Sequence, residues 1–471
     1  MKRIILSSIL VFTSIYCTAK VLEVPGDFQS ISEAIAAASN LDTILVAQGT
    51  YYENLNFSGK DIVMASHYIF TKDLRDIENT IIDGSSPTNP DSASCLILCS
   101  GESRTAVIEG FTITNGSGSD WIDPQFPSYT WHSGGGILIY QSSPTIRNNI
   151  IIGNHCDDDT GVSGASGGGI LTYGGNPIIT KNKIQYNSAR YGAGIVIDYS
   201  GCVIKNNIIS NNKGPKIYGG AAFWTIGNGS SPAIIENNTI INNETTLSGG
   251  AFYIWSSQLI ARNNIIWGNK QGNENTIHLF EGGAIDISYS IVEGGYEGTG
   301  NMDIDPEFSG PMLELTPGSP CVDAGNPGLE YNDIEDPQNP GMALSPALGT
   351  TTNDMGVFGG PNCLIMTNNT SGLNDKAETQ QTRLCCFPNP FSDQTEIQFK
   401  LERSSNIELV IIDMQGRTVR FLDKGFRSRG THSLNWNGSD SYGTKLPAGI
   451  YYPQLNVNQE FLITEKIVIF Q

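Results

Sequence analysis

Three consecutive carboxylates, Asp157, Asp158 and Asp159, are the first residues in this sequence whose type and spacing could support catalysis. A polysaccharide lyase needs a lysine or arginine base close to carboxylates that hold calcium, a cation that favours such oxygen ligands. Lys213 is a candidate base, and His132 ends a variable segment one repeat earlier. A run of aspartates in a surface loop is also commonly just solvated. The sequence therefore leaves a lyase site and a solvated loop as alternatives.

Aromatic side chains form a second set of candidates, for binding rather than catalysis. Flat aromatic faces pack against sugar rings and carboxylates bind hydroxyl groups, so that a row of such residues predicts a glycan-binding groove. The alternative is that loops fold over the row and bury it. The candidate ligand-binding residues are Trp121, Tyr129, Trp131, Tyr140, Tyr173, Asp198, Tyr253 and Trp255.

Most of these residues belong to a unit that occurs five times between Gly134 and Asn269. Each unit contains a glycine-rich cluster, an apolar run, an asparagine turn and a second apolar run. The asparagines of the turns are Asn149, Asn182, Asn207, Asn238 and Asn264, at spacings of 33, 25, 31 and 26 residues. A fixed motif at variable spacing is typical of a solenoid with insertions at one place. The insertions predict one wall of loops, which in repeat proteins is often the binding face.

The apolar runs are short and rich in isoleucine, valine, threonine and aromatic residues, which favours strands over helices. In the first full unit the predicted strands lie near Ile137–Tyr140, Pro144–Arg147 and Ile150–Ile152. Three strands per turn predict an all-β fold, a right-handed parallel β-helix of about ten coils over residues 20–362. Asparagine suits a sharp corner because it tolerates the left-handed conformation. The turn asparagines are predicted to stack as a ladder of side-chain amides about 4.8 Å apart.

Alternation along the run after each glycine cluster predicts which side chains face inward. If the isoleucines face inward, Leu138 and its equivalents face outward, as do Phe223 and Thr225 in the fourth unit. Trp224 fits this assignment badly. Among the outward residues, Leu138, Leu171 and Phe223 are expected to be covered by the loops.

The N-terminal residues predict a secreted chain. Lys2 and Arg3, an apolar run and small residues before a cleavage site at Ala19 are typical of a signal peptide over residues 1–19. No other run of 18 apolar residues occurs, so that the mature chain is expected to lack a membrane span. The net charge of −20 argues against nucleic acid as a partner.

Three further segments complete the domain organisation. Ser30 and Glu33 form a capping box, and the predicted helix near Ile31–Ser39 would cover the open end of the solenoid. Residues 363–386 are polar and predict a linker. Residues 387–471 show strand-like alternation and predict a small Ig-like β-sandwich.

Metal and disulfide signals are weak in this sequence. Asp303 and Asp305 could bind calcium, although aspartate beside proline and glycine mostly serves turns. No other cofactor is expected. The cysteines show neither a metal-binding spacing nor a readable disulfide pairing.

The segment Gly49–Asn54, with the sequence GTYYEN, resembles the start of many right-handed β-helix proteins, including pectin methylesterases. The repeats resemble a family of secreted bacterial β-helix proteins. The resemblance implies the fold rather than an activity, because the catalytic segments of the methylesterases and of the polygalacturonase-like hydrolases are not found after Asn54. A glycan-binding protein is therefore the expected function. The alternatives are a lyase or hydrolase acting on acidic polysaccharides, and a non-catalytic structural or adhesive surface protein.

The C-terminal residues carry the most specific motifs in the chain. They are PNPF from Pro388, IELVIIDMQGRTV from Ile407, GTHSLNWNGSD from Gly430 and LPAGIYYPQL from Leu446. This sequence resembles the C-terminal sorting domain of the type IX secretion system of Bacteroidetes-like bacteria. The resemblance implies export across the outer membrane to the cell surface or the medium, removal of the tail, and the secretion machinery and its sortase as partners.

Overall fold

The computed structural model forms two compact units, Val21–Asn374 and a second unit that contains Asp375–Gln471. It describes residues 19–123, 127–156, 164–214, 219–229, 231–246, 248–270, 276–310, 312–363, 383–389, 391–401, 404–413, 417–457, 461–464 and 467–469. The predicted signal peptide, except for Ala19, and most of the predicted linker lie outside the described residues. No helix within the described residues is long and apolar enough to cross a membrane.

The first unit is a parallel β-solenoid of about eight turns built from three long sheets. The first sheet contains the strands Val21–Val24, Thr43–Val46, Val63–Ser66, Val107–Glu109, Thr145–Arg147, Ile178–Thr180, Val203–Lys205, Ala233–Glu236, Gln258–Arg262 and Ala284–Ser288. The second sheet contains Gly49–Tyr51, Thr80–Asp83, Thr112–Thr114, Ile150–Ile152, Lys183–Gln185, Ile208–Ser210, Thr239–Ile241, Ile265–Trp267 and Ile291–Val292. The third sheet contains Leu55–Asn56, Leu96–Leu98, Ile137–Tyr140, Ile170–Tyr173, Ile195–Asp198, Phe223–Ile226, Phe252–Trp255 and Ile277–Phe280.

Shorter strands occur where the sequence predicts insertions. Four two-residue strands form a small parallel sheet, His155–Cys156, Ser188–Ala189, Lys213–Gly214 and Glu244–Thr245. An antiparallel hairpin, Gly118–Ile122 with Thr130–Ser133, pairs with the strand Ser92–Ala93. Phe308–Ser309 pairs with Glu314–Leu315 after the last turn. The insertions thus extend one wall of the solenoid, as predicted.

The expected ten coils become about eight turns because the strands at both ends, Val21–Val24 and the pair Ala284–Ser288 and Ile291–Val292, do not belong to full three-strand turns of the described residues. Val21–Val24 leads into a helix, Ile31–Ala37, before the chain returns to the first sheet. The side chain of Ser30 caps this helix and accepts a hydrogen bond from Glu33 N at 3.1 Å, as the capping box predicts. Its buried face, with Ile31 and Ile35, packs into the main core at the end of the solenoid. The other helices are Tyr68–Thr71, Leu74–Glu78 and the 3-10 helix Leu329–Tyr331.

The asparagine ladder is present as predicted. Asn182 Oδ1 accepts hydrogen bonds from the backbone N and from Nδ2 of Asn149, at 3.0 and 3.1 Å. Asn207 Oδ1 accepts the same pair from Asn182, at 2.9 and 3.0 Å. The left-handed residue at each corner is the one before the ladder asparagine, for example Asn148 with φ 55° and Asn206 with φ 52°.

A second amide ladder closes the other end of the second sheet. Its members are the asparagines that end each repeat, Asn154, Asn187, Asn212, Asn243 and Asn269. Their side chains are fully buried or nearly so, and each donates to a backbone carbonyl one coil away. The signal for this ladder was in the sequence, since every repeat closes with asparagine at a fixed distance from the first ladder.

A C-terminal strap, residues 312–363, covers the outer face of the second sheet. Asn206 Nδ2 donates to the carbonyls of Val357 and Gly359 at 3.1 and 2.7 Å. Val357 and Phe358 pack on outward isoleucines of that sheet. Hydrogen bonds at the corners and apolar contacts on the sheet face thus hold the strap on the solenoid.

Two buried carboxylates lie within the strap. Asp333 accepts hydrogen bonds from the backbone N of Asp354 and of Gly360. Asp354 accepts from the backbone N of Asp323 and of Leu348, both at 2.8 Å. Burial is the main cause that raises the pKa of Asp333 to about 8 and that of Asp354 to about 6.

Buried thiols occupy core positions of the solenoid and of the strap. Cys95, Cys202 and Cys321 are free and fully buried, and burial raises the pKa of each thiol to about 12. These side chains act as small apolar groups rather than as reactive thiols.

The C-terminal unit is a small β-sandwich, as predicted. One sheet contains Arg383–Phe387, Thr395–Leu401 and Gly430–Trp436, and the other contains Thr418–Arg427, Ser405–Asp413, Gly449–Val457, Phe461–Thr464 and Ile467–Ile469. The first strand begins before residue 387, within the segment predicted as linker. Apolar side chains from both sheets form one core around Trp436, whose indole N–H donates to Ser439 O at 3.0 Å.

Candidate functional site

The outer face of the third sheet carries the aromatic row that the sequence predicts, with one correction to its phase. Val196 pairs with Trp224, and Phe223 stacks on Phe252 in the main core. Phe223 and Thr225 therefore face inward and Trp224 faces outward, so that the predicted phase of this coil was wrong. The cause is the glycine cluster of this unit, which is displaced by one residue, because Ile195 N donates to Ala222 O.

One end of the row is a compact group that we call the tyrosine cluster, Trp121, Tyr140, Tyr173 and Tyr199. The ring of Tyr173 lies at its centre, with ring centroids 5.0 Å from Trp121, 5.4 Å from Tyr140 and 5.5 Å from Tyr199. Tyr140 and Tyr173 occupy equivalent positions on adjacent strands and stack. Trp121 belongs to the hairpin, so that this insertion and the third sheet build the cluster together.

The other end is a second group, the tryptophan cluster, Trp224, Tyr253, Trp255, His278 and Phe280. Trp224 stacks on Tyr253 at 4.4 Å, and Trp255 meets Phe280 edge-on at 5.4 Å. The indole N–H of Trp255 donates to Glu281 Oε2 at 2.8 Å. Register places one aromatic residue above another along the solenoid axis.

Burial divides the row into a covered base and an accessible edge. Tyr173 and Tyr253 are 6% and 9% exposed, and Leu138 and Leu171 are buried as expected. Tyr140, Tyr199, Trp255 and Trp121 are partly exposed, and Phe280 is 37% exposed. The loops therefore bury the sheet-proximal part of the row and leave its outer edge at the surface.

Two carboxylates lie within the tyrosine cluster. Tyr173 donates from its hydroxyl to Asp123 Oδ1 at 2.9 Å. Asp198 follows Tyr173 in register on the next strand and is 8% exposed. Burial, and then the neighbouring charge of Asp123, raise the pKa of Asp198 well above its usual value. The same two causes, together with the hydrogen bond to Asp123, raise the pKa of Tyr173.

Sequence reasoning included Asp198 but missed Asp123. Asp123 lies in an insertion without repeat partners, and the available signal was its position two residues after Trp121. Trp131 lies in the second strand of the same hairpin, where it pairs with Trp121, and Tyr129 directly precedes that strand. Tyr129 is 56% exposed, whereas Trp131 is partly buried beside Gly164. The hairpin therefore brings only some of its predicted aromatic residues into the row.

The predicted catalytic residues are not brought together in the described part of the chain. Asp157–Asp159 lie outside the described residues. Lys213 is exposed and forms an ion pair with Glu244 at 3.5 Å. Both ring nitrogens of His132 are occupied, by Asp120 Oδ1 at 2.7 Å and by Ser117 O at 2.9 Å.

Each calcium candidate accepts a hydrogen bond from a backbone N–H group. Asp303 Oδ1 accepts from Gly294 N at 3.1 Å, and Asp305 Oδ1 accepts from Glu307 N at 2.9 Å. Among the residues that the structure describes, no group of three or more histidine, cysteine, aspartate or glutamate side chains is arranged to hold a metal ion.

Comparison with protein families assigns the architecture. Residues 69–292 match the family described as "Right handed beta helix region". The first unit is therefore a right-handed parallel β-helix. Residues 389–460 match the family described as "FlgD Ig-like domain", in agreement with the sandwich of the second unit. A search of curated protein sequences finds no relative of this chain.

Solved structures similar to the β-helix include two pectin methylesterases. The enzyme from Aspergillus niger has 14% identity and a TM-score of 0.35, over 57% of this chain and 85% of that one. The enzyme from carrot has 13% identity and a TM-score of 0.35, over 62% and 85% of the two chains. Dimeric latent PorU from Porphyromonas gingivalis has 20% identity and a TM-score of 0.18 over 21% of this chain. The match spans only 10% of the PorU chain.

Proposed function

We propose that this protein binds a polysaccharide or surface glycan along the aromatic row of the β-helix, outside the cell that makes it. The observation that carries the proposal is the partly exposed outer edge of the row, where Tyr140, Tyr199 and Trp255 stand above buried aromatic neighbours. Rings that are already ordered by stacking lose little entropy when a sugar packs against them.

The partners of the two candidate bases support binding rather than lyase chemistry as the main activity. The candidate base Lys213 is paired with Glu244, and His132 is held by Asp120 and Ser117. A lyase requires a free base beside the substrate. The proposal therefore places the ligand on the row and not on the wall near Lys213.

A glycan array with the purified full-length protein tests this function. We expect selective binding to one class of glycan, and we expect Trp255→Ala combined with Tyr140→Ala to weaken it at least tenfold, because both partly exposed rings are removed. Lys213→Ala is the matched control and is expected to retain affinity. A parallel absorbance assay for unsaturated products on acidic polysaccharides tests the lyase alternative. Absence of binding to every glycan, or product formation that Lys213→Ala abolishes, would contradict the proposal.

We further propose that residues 387–471 act as a type IX secretion sorting domain. One support is the set of sequence motifs around Pro388, Ile407, Gly430 and Leu446. The other is the sandwich fold, in which strands from this region pair with each other. In this proposal a signal peptide takes the chain to the periplasm and the tail directs it across the outer membrane.

Deletion of residues 387–471 is expected to leave the β-helix in the periplasm of the producing cell, with at least a tenfold loss from the surface and medium. Cell fractionation followed by immunoblotting measures the distribution. A full-length variant with Tyr442→Ala, a change at a side chain that is 94% exposed, is the control and should be exported normally. Equal surface amounts of truncated and full-length protein would show that the tail is not the sorting signal.

A further inference from the structure

Two buried polar atoms in the tyrosine cluster have no hydrogen-bond partner within the described residues. They are the indole Nε1 of Trp121, a donor, and Oδ1 of Asp198, an acceptor or, when protonated, a donor. Leaving such an atom unsatisfied costs about 1–3 kcal/mol. Two of them in one aromatic cluster indicate a site that is completed by another molecule.

The surroundings of these atoms carry negative rather than positive charge. Asp123 raises the pKa of Tyr140, Tyr173 and Tyr199 as well as that of Asp198. No lysine or arginine of the described residues contributes to any of these four shifts. An anionic ligand, such as a uronate or a sulfated sugar, would bring like charge to a buried carboxylate pair.

Sugar hydroxyl groups match these two atoms, because a hydroxyl can accept from the indole N–H and can donate to or accept from the carboxyl group. The rings of Tyr140, Tyr173 and Tyr199 supply flat apolar faces beside it. A sugar ring without charge combines both features, with hydroxyl groups at its rim and C–H groups on its faces.

We infer that the tyrosine cluster is a subsite for a neutral sugar residue, whose hydroxyl groups accept from Trp121 Nε1 and bond to Asp198 Oδ1. This inference rests on the proposed glycan binding and specifies its ligand class. Asp123, which is held by the hydroxyl of Tyr173, sets the negative charge that excludes acidic sugars.

Ligand entry requires the hairpin to shift, because both atoms are buried. Within the described residues, the hairpin pairs with the strand Ser92–Ala93 at Gly118 and Ser119, and Asp120 N donates to Asp91 O at 2.8 Å. Within the described residues, its outer strand positions Trp121 and Ile122 pair only with the hairpin's own second strand. The part of the hairpin that carries Trp121 can therefore move without breaking the sheets of the solenoid, although the hydrogen bond from the Tyr173 hydroxyl to Asp123 Oδ1 at 2.9 Å also ties it to the third sheet.

The test is titration of the purified full-length protein with neutral hexasaccharides of glucose, mannose or galactose and with a galacturonate hexasaccharide. We expect at least one neutral ligand to bind tenfold or more tightly than the galacturonate ligand. Trp121→Phe keeps the ring and removes the N–H, and is expected to weaken the neutral ligand about fivefold, which corresponds to about 1 kcal/mol. Trp267→Phe is the matched control, since Trp267 is a partly buried tryptophan of the second sheet, outside the aromatic row.

A second readout separates binding from folding. The indole ¹H–¹⁵N resonance of Trp121, identified by its loss in Trp121→Phe, should shift when the neutral ligand is added. Preference for the galacturonate ligand, or equal effects of Trp121→Phe and Trp267→Phe, would overturn the inference and leave glycan binding on the row intact. An unchanged resonance at saturation would also overturn it and assign the two atoms to water. Failure of every sugar to bind would instead refute the proposed function itself.

Discussion

Replacement of Asn207 by alanine is expected to lower the free energy of unfolding of the β-helix by about 4 kcal/mol or more. Asn207 Oδ1 accepts two hydrogen bonds from Asn182. Its Nδ2 donates to the carbonyls of Ile179 and Lys205 and to Asn238 Oδ1, at 2.9–3.0 Å. The side chain is fully buried, so that water cannot replace these bonds.

The matched control for this change is Asn211→Gly. Asn211 lies at the next corner of the same coil, is partly exposed and has φ 56°. Glycine adopts this left-handed conformation readily, so that a change below about 1 kcal/mol is expected. Urea denaturation followed by circular dichroism gives both values. Equal stability losses in the two variants would show that corner conformation, rather than the amide ladder, determines the stability of the coil.

The stability of the β-helix unit is expected to fall between pH 5 and pH 8 because of Asp333. Burial, followed by the charge of Asp354, raises the pKa of Asp333 from 3.8 to about 8. A carboxyl group with a raised pKa in the folded state binds its proton more tightly there than in the unfolded chain. The stabilisation is fully present below the unfolded value of 3.8 and is lost as the pH rises through about 8.

Over this interval we expect a loss of at least about 2 kcal/mol, or about 4 °C in melting temperature. Asp333→Asn should flatten the dependence above pH 6, since it replaces the titrating group with a neutral one of the same shape. Asp354, with a pKa of about 6, should still contribute below that pH. Differential scanning calorimetry at pH 5, 6.5 and 8 measures the effect. Asp336→Asn is the control, because Asp336 belongs to the same strap but is partly exposed with a lowered pKa, and it should behave as the native chain does. A pH dependence that persists above pH 6 in Asp333→Asn would assign it to other groups.

Features that recur at the same position of every coil were determined by the sequence. The turn asparagines stack because each repeat places the same amide at the same corner, and hydrogen bonds along the axis connect equivalent residues. The cap of the first helix was also predictable from the sequence, because Ser30 Oγ accepts from Glu33 N and the Glu33 carboxylate accepts from Gln29 N, all within one turn of chain. Local geometry and repetition are both encoded in residue order.

The phase of the fourth unit was decided by pairing with its neighbours. Its glycine cluster is shifted by one residue, and alternation along a single strand allows either face to point inward. Only the register of Val196 with Trp224 selects the arrangement that buries Phe223 against Phe252. A wrong choice of one residue reverses every side chain of that strand.

The candidate site and the strap depend on contacts that no repeat encodes. Asp123 lies in an insertion, yet Tyr173 of the third sheet binds it, and the burial of Asp198 follows from the packing around both. The strap reaches back along the solenoid, so that Val357 bonds to Asn206 and packs on isoleucines far away in sequence. Burial, and with it the raised pKa values of Asp198 and Asp333, is a property of the assembled packing, because only the folded chain removes these carboxylates from water.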